Sequence, residues 1–170
     1  MSFISLDCEA DGPYPPHYSM VSFGAVEVGN QANVFYSTIR PISELWVPQA
    51  LAVSGFSRED TMLFPEAREV ITLFVAWVNE IKNRTGRAML LTDNPYFDSA
   101  FINYYTHTYT GSNPFGFSST SLTSLYKGFV KTNKASFKHL RKTQHTHNAL
   151  SDALGNAEAF EKIIEMGYKI

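Results

Sequence analysis

The 170-residue sequence predicts an α/β fold built around a mixed sheet. Three observations carry that expectation. Residues 1–41 hold three β-rich runs joined by turn chemistry, helical and strand patterns alternate from residue 65 onward, and an amphipathic helix closes the chain.

The first strand lies in "FISLDCEADGP", from Phe3 to Pro13, where Phe3, Ile4 and Leu6 suit a core. "HYSMVSFGAVEVG" (His17–Gly29) and "NVFYSTIRP" (Asn33–Pro41) read as two more strands, and the Gly29-Asn30 pair between them predicts a hairpin. Residues 42–64 read as a loop with short helical pieces around "PQALAVSGFSRED". A helix is predicted over Pro65–Arg84, because Val70, Phe74, Trp77, Val78 and Ile81 form one apolar stripe. Pro65 suits its first turn and Gly86 its end. "AMLLTD" (Ala88–Asp93) is a short apolar strand, followed by a helix from about Pro95. Strand–helix–strand succession implies a parallel crossover, which makes the sheet mixed. Residues 110–146 are rich in Ser, Thr, Asn and Lys, with short helices at Leu122–Phe129 and Phe137–Arg141. The last helix covers Asn148–Met166, with Leu150, Ala153, Leu154, Ala157, Phe160 and Ile164 on its apolar face. No repeat, low-complexity linker or boundary interrupts the pattern, so residues 1–170 read as a single domain.

Composition narrows the function classes. With 44% hydrophobic and 18% charged residues, the chain is globular in type and not disordered. Its start lacks the features of a signal peptide, and no apolar run approaches the roughly 20 residues of a membrane span. The single cysteine, Cys8, excludes an internal disulfide and argues against a cysteine-based zinc cluster. A soluble, cytoplasmic protein is expected. A net charge of −2 argues against a protein that coats DNA through a broadly basic surface. The charge is segregated, however. All 16 acidic residues lie in 1–98 or 152–170, and the acid-free remainder carries Lys127, Lys131, Lys134, Lys138, Arg141 and Lys142. This stretch is a candidate surface for a nucleic-acid backbone, weighed against an ordinary solvated face.

The opening strand ends strangely. Asp7 and Glu9 fall on the same strand face, where like charges repel and lose hydration. Two further acids sit among apolar residues: Asp98 in "NPYFDSAF", and Asp152 in "HTHNALSDALGNAEAF" with His147 just ahead of it. Two divalent cations would compensate four converging carboxylates, since hard oxygen ligands suit Mg²⁺ or Mn²⁺. A pair of such ions about 3.5–4 Å apart supports phosphodiester hydrolysis, and a nearby histidine can take the proton of water. Other residues of the same types fit the site less well. Asp11 follows the first strand's end, Asp93 fits a turn, and His145 with His147 offers too few ligands for zinc. Cys8 points to the opposite strand face as a small core residue, and Gly155 permits close helix–sheet packing. The 13 Phe and 9 Tyr include candidates for stacking on unpaired bases.

These segments resemble, in order, the motifs of DnaQ-like 3′–5′ exonucleases. "LDCEADG" resembles their Asp-x-Glu motif, "NPYFDSAF" the Asn-x-x-Phe-Asp motif, and "HNALSDAL" the His-x-x-x-x-Asp motif. The histidine subtype, DEDDh, matches better than the tyrosine subtype, whose Tyr position here is Asn148. "DGP" and "DALGNAEA" look most like the small bacterial exoribonucleases. The resemblance implies a ribonuclease-H-like fold: a five-stranded mixed sheet, antiparallel in its first three strands and then parallel, with helices on both faces. It implies that Asp7, Glu9, Asp98 and Asp152 hold two Mg²⁺ or Mn²⁺ ions and that His147 is the general base. It further implies a metal-dependent exonuclease, preferably an exoribonuclease, that releases nucleoside 5′-monophosphates from single-stranded 3′ ends, and allows a homodimer. A DNA proofreading or repair exonuclease, or a binding module without turnover, are the alternatives. Two departures stand out: Ala10 where the family often has Thr, and Asn148 where it usually has Arg.

Overall fold

Side-chain alternation along the first strand decides how the two halves of the molecule meet. In the computed structural model, which describes residues 1–170, Ser2–Ala10 forms β1, Met20–Glu27 β2 and Asn30–Thr38 β3. Ala88–Thr92 forms β4 and Ser119–Ser121 forms β5. The five strands lie in the order β3-β2-β1-β4-β5. β1 and β3 flank β2 antiparallel, while β4 joins β1 in parallel and β5 joins β4 in parallel. The expected mixed five-stranded sheet is therefore present.

Ile4, Leu6, Cys8 and Ala10 point to one face, where they enter the largest core cluster. That face is covered by α3 (Ala67–Thr85) and α4 (Asp98–Thr110) through Phe74, Phe101, Ile102 and Tyr105. Phe74 meets Phe23 edge to face at 4.9 Å, an arrangement aromatic quadrupoles favour. Two short helices, α1 (Pro48–Val53) and α2 (Arg58–Thr61), lie within the segment read as a loop with helical pieces. Ser57 and Asp60 cap α2 reciprocally, which is why so short a helix forms there.

The other face carries α5 (Leu122–Phe129) and α6 (Ala149–Glu165), so helices cover both sides. Phe3 packs on Phe160 with ring centroids 4.8 Å apart, and the Ser5 hydroxyl donates to the Ala153 carbonyl at 2.7 Å. Helix and sheet touch most closely at Gly24, where a Cβ would stand 2.4 Å from Leu150 Cα. The close-packing glycine is thus on β2. Gly155, expected to serve that purpose, instead faces the segment before α6, where a Cβ would stand 2.9 Å from the Thr143 carbonyl oxygen.

Element boundaries shift in three instructive places. α3 begins at Ala67, because the Pro65 carbonyl is taken by Arg40 N–H at 2.8 Å. Asn94–Phe97 form a turn, and the helix proper starts at Asp98. The buried face of α6 is rotated from the predicted stripe. Ala153, Ala157, Phe160 and Ile163 are buried, while Leu150, Leu154 and Ile164 are partly covered. Alanines let the helix approach the sheet more closely than leucines would. No helix is long and apolar enough to cross a membrane.

Candidate active site

The alternation that buries Leu6 and Cys8 sends Asp7 and Glu9 to the α6 side of β1. Asn148 caps α6, its side chain accepting from Ser151 N–H at 3.1 Å, which gives work to the residue that replaces the family's arginine. The capped helix places Asp152 in its first turn, opposite β1. Oxygens of Asp7, Glu9 and Asp152 all lie within 4.8 Å of one another. Burial, then repulsion from Asp98, Glu9 and Asp152, raises the Asp7 carboxyl well above its ordinary range. Burial, with Asp152 and Asp98 nearby, raises Glu9 to about 8.

Asp98 approaches from the opposite layer, since α4 packs on the Cys8 side of the sheet. Its Oδ1 accepts from the Cys8 backbone N–H at 3.3 Å and from the Cys8 thiol at 3.5 Å. Asp98 therefore lies outside the tight group of three, near enough to repel Asp7 and Glu9. Burial lifts its own pKa to about 7 against those hydrogen bonds. Sequence order alone could not show that the fourth carboxylate comes around the sheet's end.

Arg141 is the main correction. It was expected on an exposed basic surface, but its side chain is only 5% exposed. Its guanidinium lies 3.8 Å from both Asp152 and Asp93, donates to Asn156, and covers the Phe137 ring at 5.1 Å. It supplies part of the positive charge that the acids require. Gly155 makes room for it, since a Cβ there would come within 3.0 Å of Arg141 Cδ. The sequence signal was Gly155-Asn156 in the middle of a helix, a small and an amide residue where apolar ones were due. Asp11, the other acid near the end of β1, is buried away in an ion pair with Arg58 at 2.9 Å. Asp93 accepts from Thr123 as well as pairing with Arg141.

Whether these residues suit divalent cations can be tested on Asp152. Its Oδ1 accepts from Thr146 N–H at 3.2 Å, yet its Oδ2 is buried with no partner. An unpaired buried oxygen on a carboxylate grouped with two more is a costly arrangement without a cation. An all-oxygen donor set fits hard ions such as Mg²⁺ or Mn²⁺ better than zinc. The residues fit.

The two histidines separate in role. His145 Nδ1 lies 2.8 Å from Asp152 Oδ1. His147 is exposed, with its ring edge-on to His145 at 4.3 Å and its backbone left-handed at φ 57°. Histidine tolerates that conformation better than most residues. Lys127 and Lys131 line one polar cavity, while Lys134 and Lys138 are exposed outside it. Sequence reasoning missed the direct His145–Asp152 contact, because a histidine four residues before the helix start carries no pattern of its own.

Comparison with known proteins bears on this geometry. A family model described as Exonuclease (RNase_T) matches residues 4–160. The chain is 33% identical to the 3′–5′ DNA exonuclease Cap18 of Escherichia coli, covering 98% of this chain and 94% of that protein. Among solved structures it resembles a 3′-exonuclease that recognises a histone mRNA stem-loop, with TM-score 0.75 and 15% identity. It also resembles E. coli exonuclease I bound to a dT13 oligonucleotide, with TM-score 0.71 and 13% identity. Each match covers 98% of this chain, which spans 64% of the first structure and 41% of the second. These two likenesses establish the fold, and the sequence matches establish the family.

Proposed function

The chain belongs to the exonuclease (RNase_T, DnaQ-like) family and is a 3′–5′ exonuclease, and on that premise we propose which residues act and on what. The supporting observation is the Asp7–Glu9–Asp152 group, with oxygens within 4.8 Å and one buried oxygen left without a partner. Asp7, Glu9 and Asp152, joined by Asp98, would hold two Mg²⁺ or Mn²⁺ ions. When bound, such ions lower the pKa of water and offset charge on the departing oxygen.

The chain's own residues set up the rest. Cys8 holds the Asp98 carboxylate through two hydrogen bonds, and Arg141 balances Asp152 from beneath. His147, exposed and edge-on to the His145 ring that contacts Asp152, takes the proton of the attacking water on a ring nitrogen. The water oxygen bonds to the terminal phosphorus, and the bond from phosphorus to the 3′ oxygen of the preceding nucleotide breaks. The departing 3′ oxygen takes a proton from solvent water, so a nucleoside 5′-monophosphate leaves and the shortened strand keeps a 3′-hydroxyl. A single strand is the substrate this reading favours, supported by exposed rings on which unpaired bases could stack: Tyr14, Tyr96 and Phe117.

DNA is the substrate we favour, since the relative that matches along nearly its whole length is named for DNA. RNA, the expectation from the motif resemblance, is the second reading. The single buried cysteine suits a reducing cytoplasm, where we place the activity. Incubating 5′-labelled DNA and RNA strands of one sequence with Mg²⁺, Mn²⁺ or EDTA tests both points. Metal-dependent shortening from the 3′ end supports the site, and the ratio of rates identifies the substrate.

A further inference from the structure

Three surface cavities of the protein share lining residues, so each adjoins the next along the β5 edge of the sheet. The first, about 580 Å³, is lined by Ser99, the residue after Asp98 at the start of α4, and by the exposed rings of Tyr14, Tyr96 and Phe117. The Ser99 hydroxyl is buried there without a partner. This cavity meets the second at Ser119, the first residue of β5. The second, about 670 Å³, runs along Ser119, Thr120 and Ser121, the outer edge strand of the sheet. It passes into the third at Ser124 and Gly128, and that cavity of about 560 Å³ ends at Lys127 and Lys131.

The chemistry changes along the three cavities: exposed aromatic rings in the first, hydroxyl groups along β5, and two lysines at the far end. No carboxylate lines any of the three cavities, on a protein whose net charge is −2. A polyanion with flat, stackable bases at its reacting end matches that order, because the aromatic rings add a stacking surface that charge alone does not require. Three residues of strand and eight of helix give a path of about 20 Å, from rises of roughly 3.3 and 1.5 Å per residue. At the stacked spacing of roughly 3.4 Å, this accommodates on the order of six nucleotides.

Building on the exonuclease reading above, we propose that the part of the strand behind its 3′ end follows the β5 edge and is anchored by Lys127 and Lys131, so that the enzyme selects strands several nucleotides long. Lys134 and Lys138, though in the same basic segment, stand outside the path. Electrostatics alone would treat the four lysines alike; the path along the cavities does not.

Fluorescence anisotropy of labelled strands in EDTA measures this without any turnover, so it stands apart from the catalytic assignment. Wild-type protein should bind a strand of about 12 nucleotides at least about tenfold more tightly than one of about three. Lys127→Gln with Lys131→Gln should weaken the long strand about tenfold and reduce the slope of log K against log salt by about 1.4, at roughly 0.7 per lost phosphate contact. Ser124→Glu, which sets a negative charge where two cavities join, should weaken it similarly. Lys134→Gln with Lys138→Gln should cost less. No length dependence, undiminished binding in the first pair, or equal losses in the two lysine pairs each overturns the track. A loss of metal-dependent turnover in wild type would instead defeat the exonuclease assignment and leave these affinities standing.

Discussion

Replacing Asp98 by Asn should stabilise the metal-free protein, and more so as pH rises. The unfolded carboxyl releases its proton near its ordinary value of 3.8, while the buried native one holds it to about 7. Between those values the native state binds more protons, so stability falls as pH rises through the window, and the loss is complete above it. Linkage puts this cost at about 1.5 kcal/mol near pH 5 and about 4 kcal/mol near pH 8, at roughly 1.4 kcal/mol per pKa unit. Asn keeps an oxygen for the Cys8 N–H, so the substitution removes charge and leaves the hydrogen bond. It also removes repulsion felt by Asp7 and Glu9. At about 2–4 °C per kcal/mol for a chain of this size, the gain in Tm should grow by about 5–10 °C from pH 5 to pH 8. Thermal melts in EDTA at the two pH values check it. Saturating Mn²⁺ should abolish or reverse the advantage, because the wild type regains the compensation it lacks. A gain that is equal at both pH values, or a loss at pH 8, would refute the claim that Asp98 is a strained acid awaiting a cation.

Other outcomes follow from the same geometry. His147→Ala should lower the rate about 10²–10⁴-fold while sparing Mn²⁺ affinity measured by calorimetry. An equal effect from His145→Ala alone, with His147→Ala active, would move the base to the residue touching Asp152. Gly24→Ala drives a Cβ to 2.4 Å from Leu150 Cα, so it should destabilise by about 1–3 kcal/mol in chemical denaturation. Arg141→Met removes the buried cation beneath Asp152 and should cost about 3–5 kcal/mol near neutral pH without metal, with much of the loss recovered in Mn²⁺.

The sequence revealed those features that depend on local periodicity. β1, α3 and α6 were legible because burial repeats every two or every three to four residues within each, and Asp7 and Glu9 followed from the first of these patterns. β5 was not visible as a strand: three Ser and Thr residues on a sheet edge bury little and carry no alternation. Arg141 was misplaced for a related reason. Within "KHLRK" nothing distinguishes one cation from the next, and its burial depends on Gly155 and Asn156 on a helix formed later in the chain. The convergence of Asp7, Glu9 and Asp152 was inferred from motif order and is seen in the fold. That Asp98 reaches the group from the opposite layer, and that His145 contacts Asp152, are facts of packing between distant segments.

If these carboxylates form a metal-binding hydrolytic site, wild type and Asp7→Asn should differ sharply on a 5′-labelled single strand across a Mn²⁺ titration. Wild type should give a ladder shortening from the 3′ end, absent in EDTA, with the rate lowered at least about 10²–10³-fold in Asp7→Asn at every Mn²⁺ concentration. A comparable ladder from Asp7→Asn, or one that persists in EDTA, would contradict that assignment.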